Sequence, residues 1–101
     1  MHLISNKTYR VYPKAIDDLE SIYFYSIKEF GRKKATSYII AIEKGFQFLV
    51  SNPEISRKCD YIRKDLRALN VGSHIIFFKI TDYGVAVIRV LHKSMDFERH
   101  I

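Results

Sequence analysis

The sequence predicts an α+β domain in which a helical hairpin packs on a curved antiparallel sheet, in the order β-α-α-β-β-β. Two observations carry that expectation. Apolar residues recur at helical spacing through two consecutive segments separated by Gly31, and the second half breaks into three β-rich runs divided by short turn signals. The chain of 101 residues fits one domain spanning 1–101, with 48% hydrophobic and 28% charged residues. At this length only about 65% of the unfolded surface can be buried, so a partner that covers apolar surface would matter for stability.

The first strand runs from Thr8 to Tyr12. Tyr9, Val11 and Tyr12 suit a pleated surface, and Pro13 ends it. Pro13 also opens a helix well, because the first helical N–H needs no partner within the helix. Asp17, Asp18 and Glu20 follow, which suits the positive end of a helix dipole. Ile16, Leu19, Tyr23, Ile27 and Phe30 form one apolar stripe, and Gly31 stops the helix. A second helix begins near Arg32, with Ala35, Tyr38, Ile39, Ile42, Phe46 and Leu49 on one face. Ser51-Asn52-Pro53 ends it, because the residue before proline resists the helical region. So short a connection at Gly31 makes the two helices pack antiparallel.

Pro53 to Asp60 is a polar connection. Leu66 to Val71, His74 to Ile80 and Val85 to Leu91 read as strands. Gly72-Ser73 and Thr81-Asp82-Tyr83-Gly84 are the turns between them, so the three strands form an antiparallel meander. The first strand joins the same sheet, since a short isolated strand has nowhere else to pair its backbone groups. The strands at 75–80 and 85–91 are apolar on both alternations, whereas a sheet with one wet face alternates with polar residues. Something therefore covers the face opposite the helices: either a partner chain or the C-terminal tail, Ser94 to Ile101.

The charge balance is +6, which favours an acidic partner, either nucleic acid or an acidic protein segment. Cys59 is the only cysteine, so no internal disulfide forms, as suits a reducing cytosol. The first residues lack an apolar stretch of signal-peptide length, and Ile75-Ile76-Phe77-Phe78 is far short of a membrane span. A soluble, cytoplasmic protein is expected.

No nucleotide-binding glycine pattern is present, so no nucleotide cofactor is expected. His2, His74, His92 and His100 lack zinc-ligand spacing, and Cys59 has no paired cysteine, so no metal is expected either. Nothing places a base beside Cys59, which reads as a free thiol in a connection. The aromatic residues Tyr9, Tyr12, Tyr23, Phe24 and Tyr25 are spaced for packing rather than for base stacking.

The cationic constellation is the informative one. Arg63, Lys64 and Arg67 precede or open the meander, and Arg89, His92 and Lys93 close it. The expectation is that these two groups meet at one end of the sheet. Such a cluster could bind phosphates, or stabilise a developing phosphorane with His92 as acid or base. It could equally be a solvated basic rim.

The local signatures resemble the RelE/ParE superfamily of toxins over nearly the whole chain. The resemblance rests on Tyr12-Pro13-Lys14-Ala15, Asp18-Leu19 and Ile22, on Ala35 and Tyr38, and on Asn52-Pro53-Glu54. It continues through Ile62-Arg63, Leu66-Arg67, Gly72-Ser73-His74 and Ile76-Phe77-Phe78 to Val90-Leu91-His92-Lys93-Ser94-Met95-Asp96. Each piece is unspecific, and their order makes the match. The superfamily divides into ribosome-dependent mRNA endonucleases, like RelE, and inhibitors of DNA gyrase, like ParE. Arg67 and Lys93 match basic positions of the endonuclease pattern, and His92 or His100 could serve as acid or base. The endonucleases' C-terminal tyrosine is missing from Asp96-Phe97-Glu98-Arg99-His100-Ile101.

The ending thus resembles the ParE branch, which implies a gyrase-binding toxin that is not an enzyme, with an mRNA endonuclease as the alternative. Target contacts would then fall on Arg63, Arg67, Arg89, His92 and Lys93; as an endonuclease it would use Arg67, His92 and Lys93. The resemblance also implies a cognate ParD-like antitoxin that binds DNA through its own N-terminal domain. Its flexible C-terminal part would wrap the toxin in a hetero-oligomer, against Tyr23, Ile27, Ile39 and Phe78.

Overall fold

The computed structural model of the chain describes residues 6–101. Strand β1 (Thr8–Val11) leads into helices α1 (Pro13–Phe30) and α2 (Arg32–Ser51). A single 3-10 turn (Pro53–Ile55) and the short strand β2 (Arg57–Lys58) follow, then β3 (Arg67–Val71), β4 (His74–Thr81), β5 (Gly84–His92) and a terminal turn of helix, α3 (Phe97–His100). The five strands form one sheet in the order β1-β5-β4-β3-β2. The α+β class, the helical hairpin and the β3-β4-β5 meander are as the sequence predicts.

The sheet is mixed rather than wholly antiparallel. Strand β1 pairs parallel to β5, with Thr8 opposite Gly84 and Val11 opposite Val87. Short connections force antiparallel neighbours, but the chain between β1 and β5 includes both helices and the meander, long enough for a parallel crossover. Because β2 takes the outer edge of β3, β5 offers β1 the open edge. Gly84 permits the pairing: a Cβ there would lie 1.9 Å from the Thr8 carbonyl oxygen, and its φ is +134°.

Helix α1 is rotated from the expected stripe. Its buried residues are Ala15, Ile22 and Ser26, with Leu19 packed against them, whereas Ile16 and Phe30 are exposed. The buried face carries the small residues Ala15 and Ser26, which apolar content alone does not mark. Its first turn holds no acidic residue, so Asp17 and Asp18 lie beyond the dipole's reach. The stripe of α2 is as expected, with Ala35, Ile42, Phe46 and Leu49 buried and Tyr38 and Ile39 partly so. Gly31 alone separates the helices, and its amide bonds the Ile27 carbonyl at 2.9 Å.

A bulge in β5 places side chains on both faces. Phe77 pairs with Arg89 but Phe78 pairs with Val87, so Ile88 is the extra residue. Val85, Val87 and Val90 consequently all face the helices, and Ile88 and Leu91 the opposite side. That opposite face is covered by the chain itself. Cys59, Ile62 and Leu66 from the connection and Met95, Phe97 and Ile101 from the C-terminal segment pack onto Ala68, Ile75, Phe77 and Leu91. The Phe97 ring lies 4.9 Å from that of Phe77. Of the two expected covers, the C-terminal tail is present, joined by the connection at 59–66. Cys59 is completely buried in this second core.

Candidate functional site

The expected basic cluster does not assemble. Strands β3 and β5 are each antiparallel to β4, and so run parallel to each other. Arg67 lies opposite Phe78, at the start of β3, while His92 lies opposite His74, which faces Val71 at the end of β3. The two are separated by about 13 Å along the strand direction. The start of the first strand of a meander shares its end of the sheet with the start of the third, not with its finish.

Arg67 is turned inward. Its Nε donates to Ser56 Oγ at 2.9 Å, and its second guanidinium nitrogen to the Ser56 carbonyl at 2.9 Å and the Glu54 carbonyl at 3.3 Å. It ties the connection at 53–58 to β3 and is 9% exposed. Arg89 is similarly committed. It donates to both oxygens of Asp18, each at 2.8 Å, and to the His100 carbonyl at 2.6 Å. The hydrogen bonds to Asp18 hold the Arg89 guanidinium above its ordinary pKa. Arg63 is exposed and donates to the Ile101 carbonyl at 2.6 Å. Arg63 and Arg89, with Lys14 and Tyr12, line a shallow hollow against the C-terminal segment. Lys93 is exposed, and its amide bonds the Ser73 carbonyl at 2.9 Å.

The other end of the sheet holds a more concentrated arrangement. Tyr38 of α2 places its hydroxyl 2.6 Å from His74 Nδ1, accepts the Ser73 amide at 3.0 Å, and lies 3.3 Å from the Val71 carbonyl. Gly72 makes this approach possible, since a Cβ there would stand 2.7 Å from the Tyr38 ring. The His92 ring meets the His74 ring edge-on, with centroids 5.2 Å apart. His92 Nδ1 accepts the Ser94 amide at 3.1 Å, so the neutral ring carries its proton on Nε2. His74 titrates below its ordinary value, first because it is partly buried and second because His92 is near.

These groups line a cleft of about 320 Å³ between the hairpin tip and the ends of β4 and β5. Tyr25, Phe30 and Lys34 form its outer wall, and Tyr38, Ser73, His74 and His92 its floor. Sequence reasoning singled out His92 but not its pairing with His74 and Tyr38. The four-residue turn between β4 and β5 carried that signal, since counting back from it brings His74 opposite His92 once the bulge is allowed for.

The apolar candidates divide. Tyr23, Ile27 and Ile39 are half-buried on the hairpin, but Phe78 is fully buried in the main core and lines no groove. It points from β4 into the helices rather than outward. The exposed apolar surface of the hairpin is instead Phe24, Tyr25 and Phe30, each more than 60% exposed, together with Ile16, Ile40 and Phe48. Among the described residues, no group of three or more His, Cys, Asp or Glu could hold a metal ion, and no helix is long and apolar enough to cross a membrane.

Comparison with known proteins gives this arrangement its setting. Residues 9–97 match the profile of the family described as the ParE toxin of the parDE type II toxin–antitoxin system. The chain belongs to the ParE toxin family. Toxin ParE1 of Mycobacterium tuberculosis is 35% identical over 94 residues, which span 92% of this chain and 96% of that protein. Toxin ParE1 of Caulobacter vibrioides is 30% identical over 95 residues, 94% of this chain and 98% of that protein. A solved structure of the chromosomal ParDE system of P. aeruginosa superposes with a TM-score of 0.75 at 19% identity, covering 88% of this chain and 98% of that one, which establishes the shared fold. The ParE hairpin and mixed sheet are therefore the frame on which the Tyr38–His74–His92 cleft is built.

Proposed function

We propose that this ParE toxin arrests bacterial growth by binding DNA gyrase in the cytoplasm, and that a ParD-like antitoxin neutralises it. The observation that favours binding over nuclease chemistry is the commitment of the arginines. An endonuclease would present Arg67, His92 and Lys93 together to a phosphate. Arg67 instead spends its donors on Ser56 and Glu54, at the opposite end of the sheet from His92. The exposed cations Arg63 and Lys93 and the accessible edge of His92 remain as contacts for a protein target.

The antitoxin's acidic C-terminal segment would cover the exposed aromatic residues of the hairpin, beside Tyr23, Ile27 and Ile39. Its N-terminal domain would bind DNA as a dimer. Purified toxin added to gyrase and relaxed plasmid tests the target: loss of supercoiling, or trapped cleaved DNA, is expected. Unchanged supercoiling without cleaved DNA, together with in-frame cuts in cellular mRNA by primer extension, would overturn the reading in favour of an endonuclease.

A further inference from the structure

We infer that the cleft at the hairpin tip is a carboxylate-recognition site, in which Lys34, His74 and His92 receive an acidic side chain of the antitoxin's docking segment. The inference rests on the antitoxin reading above and adds the contact and its control by protons.

Charge complementarity carries it. The cleft is lined by a lysine and two histidines and by no acidic residue. A neighbouring hollow runs over Lys33 and Lys34, also without a carboxylate. Asp18 lines the adjoining hollow with His74 and His92, and its oxygens are taken by Arg89 and by the Val90 amide at 2.9 Å. Lys34 thus has no acidic partner among the residues lining either hollow, and the acid beside the histidines is already engaged by Arg89. Tyr25 and Phe30 wall the cleft and are each 62% exposed. That combination fits an amphipathic peptide, whose apolar side meets the rings while a carboxylate reaches the floor. A nucleic-acid backbone would ask for a track of strong cations, and Arg67 and Arg89 are turned inward.

Tyr38 makes the floor able to change protonation without repacking. Its hydroxyl oxygen already accepts the Ser73 amide, leaving one proton to place. When His74 is neutral, that proton goes to Nδ1; when His74 is charged, Nδ1–H donates to the hydroxyl, which turns toward the Val71 carbonyl. The groups facing His74 are Asp18 of α1, Tyr38 and Lys34 of α2, and His92 of β5. Burial and His92 hold His74 below its ordinary value in the free toxin, with Asp18 opposing them. A bound carboxylate adds attraction where there was repulsion, so binding takes up a proton. Affinity therefore rises as pH falls from alkaline through neutral, and levels off once the free cleft is itself protonated.

The test is calorimetric titration of the whole toxin with its purified ParD-like antitoxin, at pH 6.5, 7.5 and 8.5. Buffers of different ionisation enthalpy would count the protons taken up. Wild type is expected to bind about tenfold more tightly at pH 6.5 than at 8.5. His74→Gln should flatten that dependence. Lys34→Met, at an exposed position, should weaken binding about tenfold while keeping the slope. Binding by wild type that is flat with pH, with Lys34→Met as tight as wild type, would overturn the inference and leave the antitoxin reading standing. No binding by wild type would overturn both. If His74→Gln fails to fold, the wild-type slope and Lys34→Met still decide.

Discussion

Arg89 and Asp18 join β5 to helix α1 through two 2.8 Å contacts, one to each carboxylate oxygen, and Asp18 also receives the Val90 amide. Both side chains are nearly buried, at 14% and 12% exposure. The same guanidinium reaches the His100 carbonyl, so one residue holds the helix on one side of the sheet and the C-terminal segment on the other. Removing either partner strands a charge in a poorly hydrated place, which costs about 3 kcal/mol. Asp18→Asn and Arg89→Met should each lower the unfolding free energy by that amount, read as a lower urea midpoint at unchanged m. The double variant Asp18→Leu/Arg89→Met should recover part of the loss, because no unpaired charge remains.

Gly84 should be intolerant of any side chain. In Gly84→Ala the new methyl group would overlap the Thr8 carbonyl, which is backbone and cannot rotate away. The expected cost is about 3 kcal/mol, and the damage should concentrate on β1. Hydrogen exchange would read it: the amides of 9–11 should lose protection while those of the β3-β4-β5 meander keep most of theirs.

Much of this molecule is legible in the sequence where neighbours along the chain determine the outcome. The hairpin at Gly31 and the turns at Gly72 and Gly84 are local, and the elements between them follow. What escaped is non-local. The parallel pairing of β1 depends on which sheet edge is free, seventy-odd residues away in sequence. The face of α1 escaped because its buried side carries the small residues Ala15 and Ser26, which a hydrophobic stripe does not register. The bulge at Ile88 shifts the alternation of β5, so Arg89 leaves the surface rim and finds Asp18. Arg67 looked like a phosphate contact because nothing local reveals that Ser56 and Glu54 fold back over it.

His74 should give the free toxin an acid-sensitive stability. Its folded pKa lies below 6.5, so the unfolded chain binds more protons in the interval between the two values. Stability therefore falls as pH drops through about 6.5, and stops falling on this account once the folded pKa is passed. His74→Gln should remove that portion of the slope. Urea titrations at half-unit steps from pH 7.5 to 5 would reveal it as a difference between the two curves.

Arg67 separates structure from chemistry. With its guanidinium donating to two carbonyls and a hydroxyl, Arg67→Gln leaves those acceptors short of partners in a buried place. A loss of about 2–3 kcal/mol in unfolding free energy is expected. The connection at 53–58 should become protease-sensitive, since β2 adds only a two-residue pairing to hold it. Toxicity per folded molecule should be unchanged, which is measured by scaling growth arrest to soluble, folded toxin. An endonuclease centred on Arg67 would show the same loss of stability, but toxicity per folded molecule would be abolished.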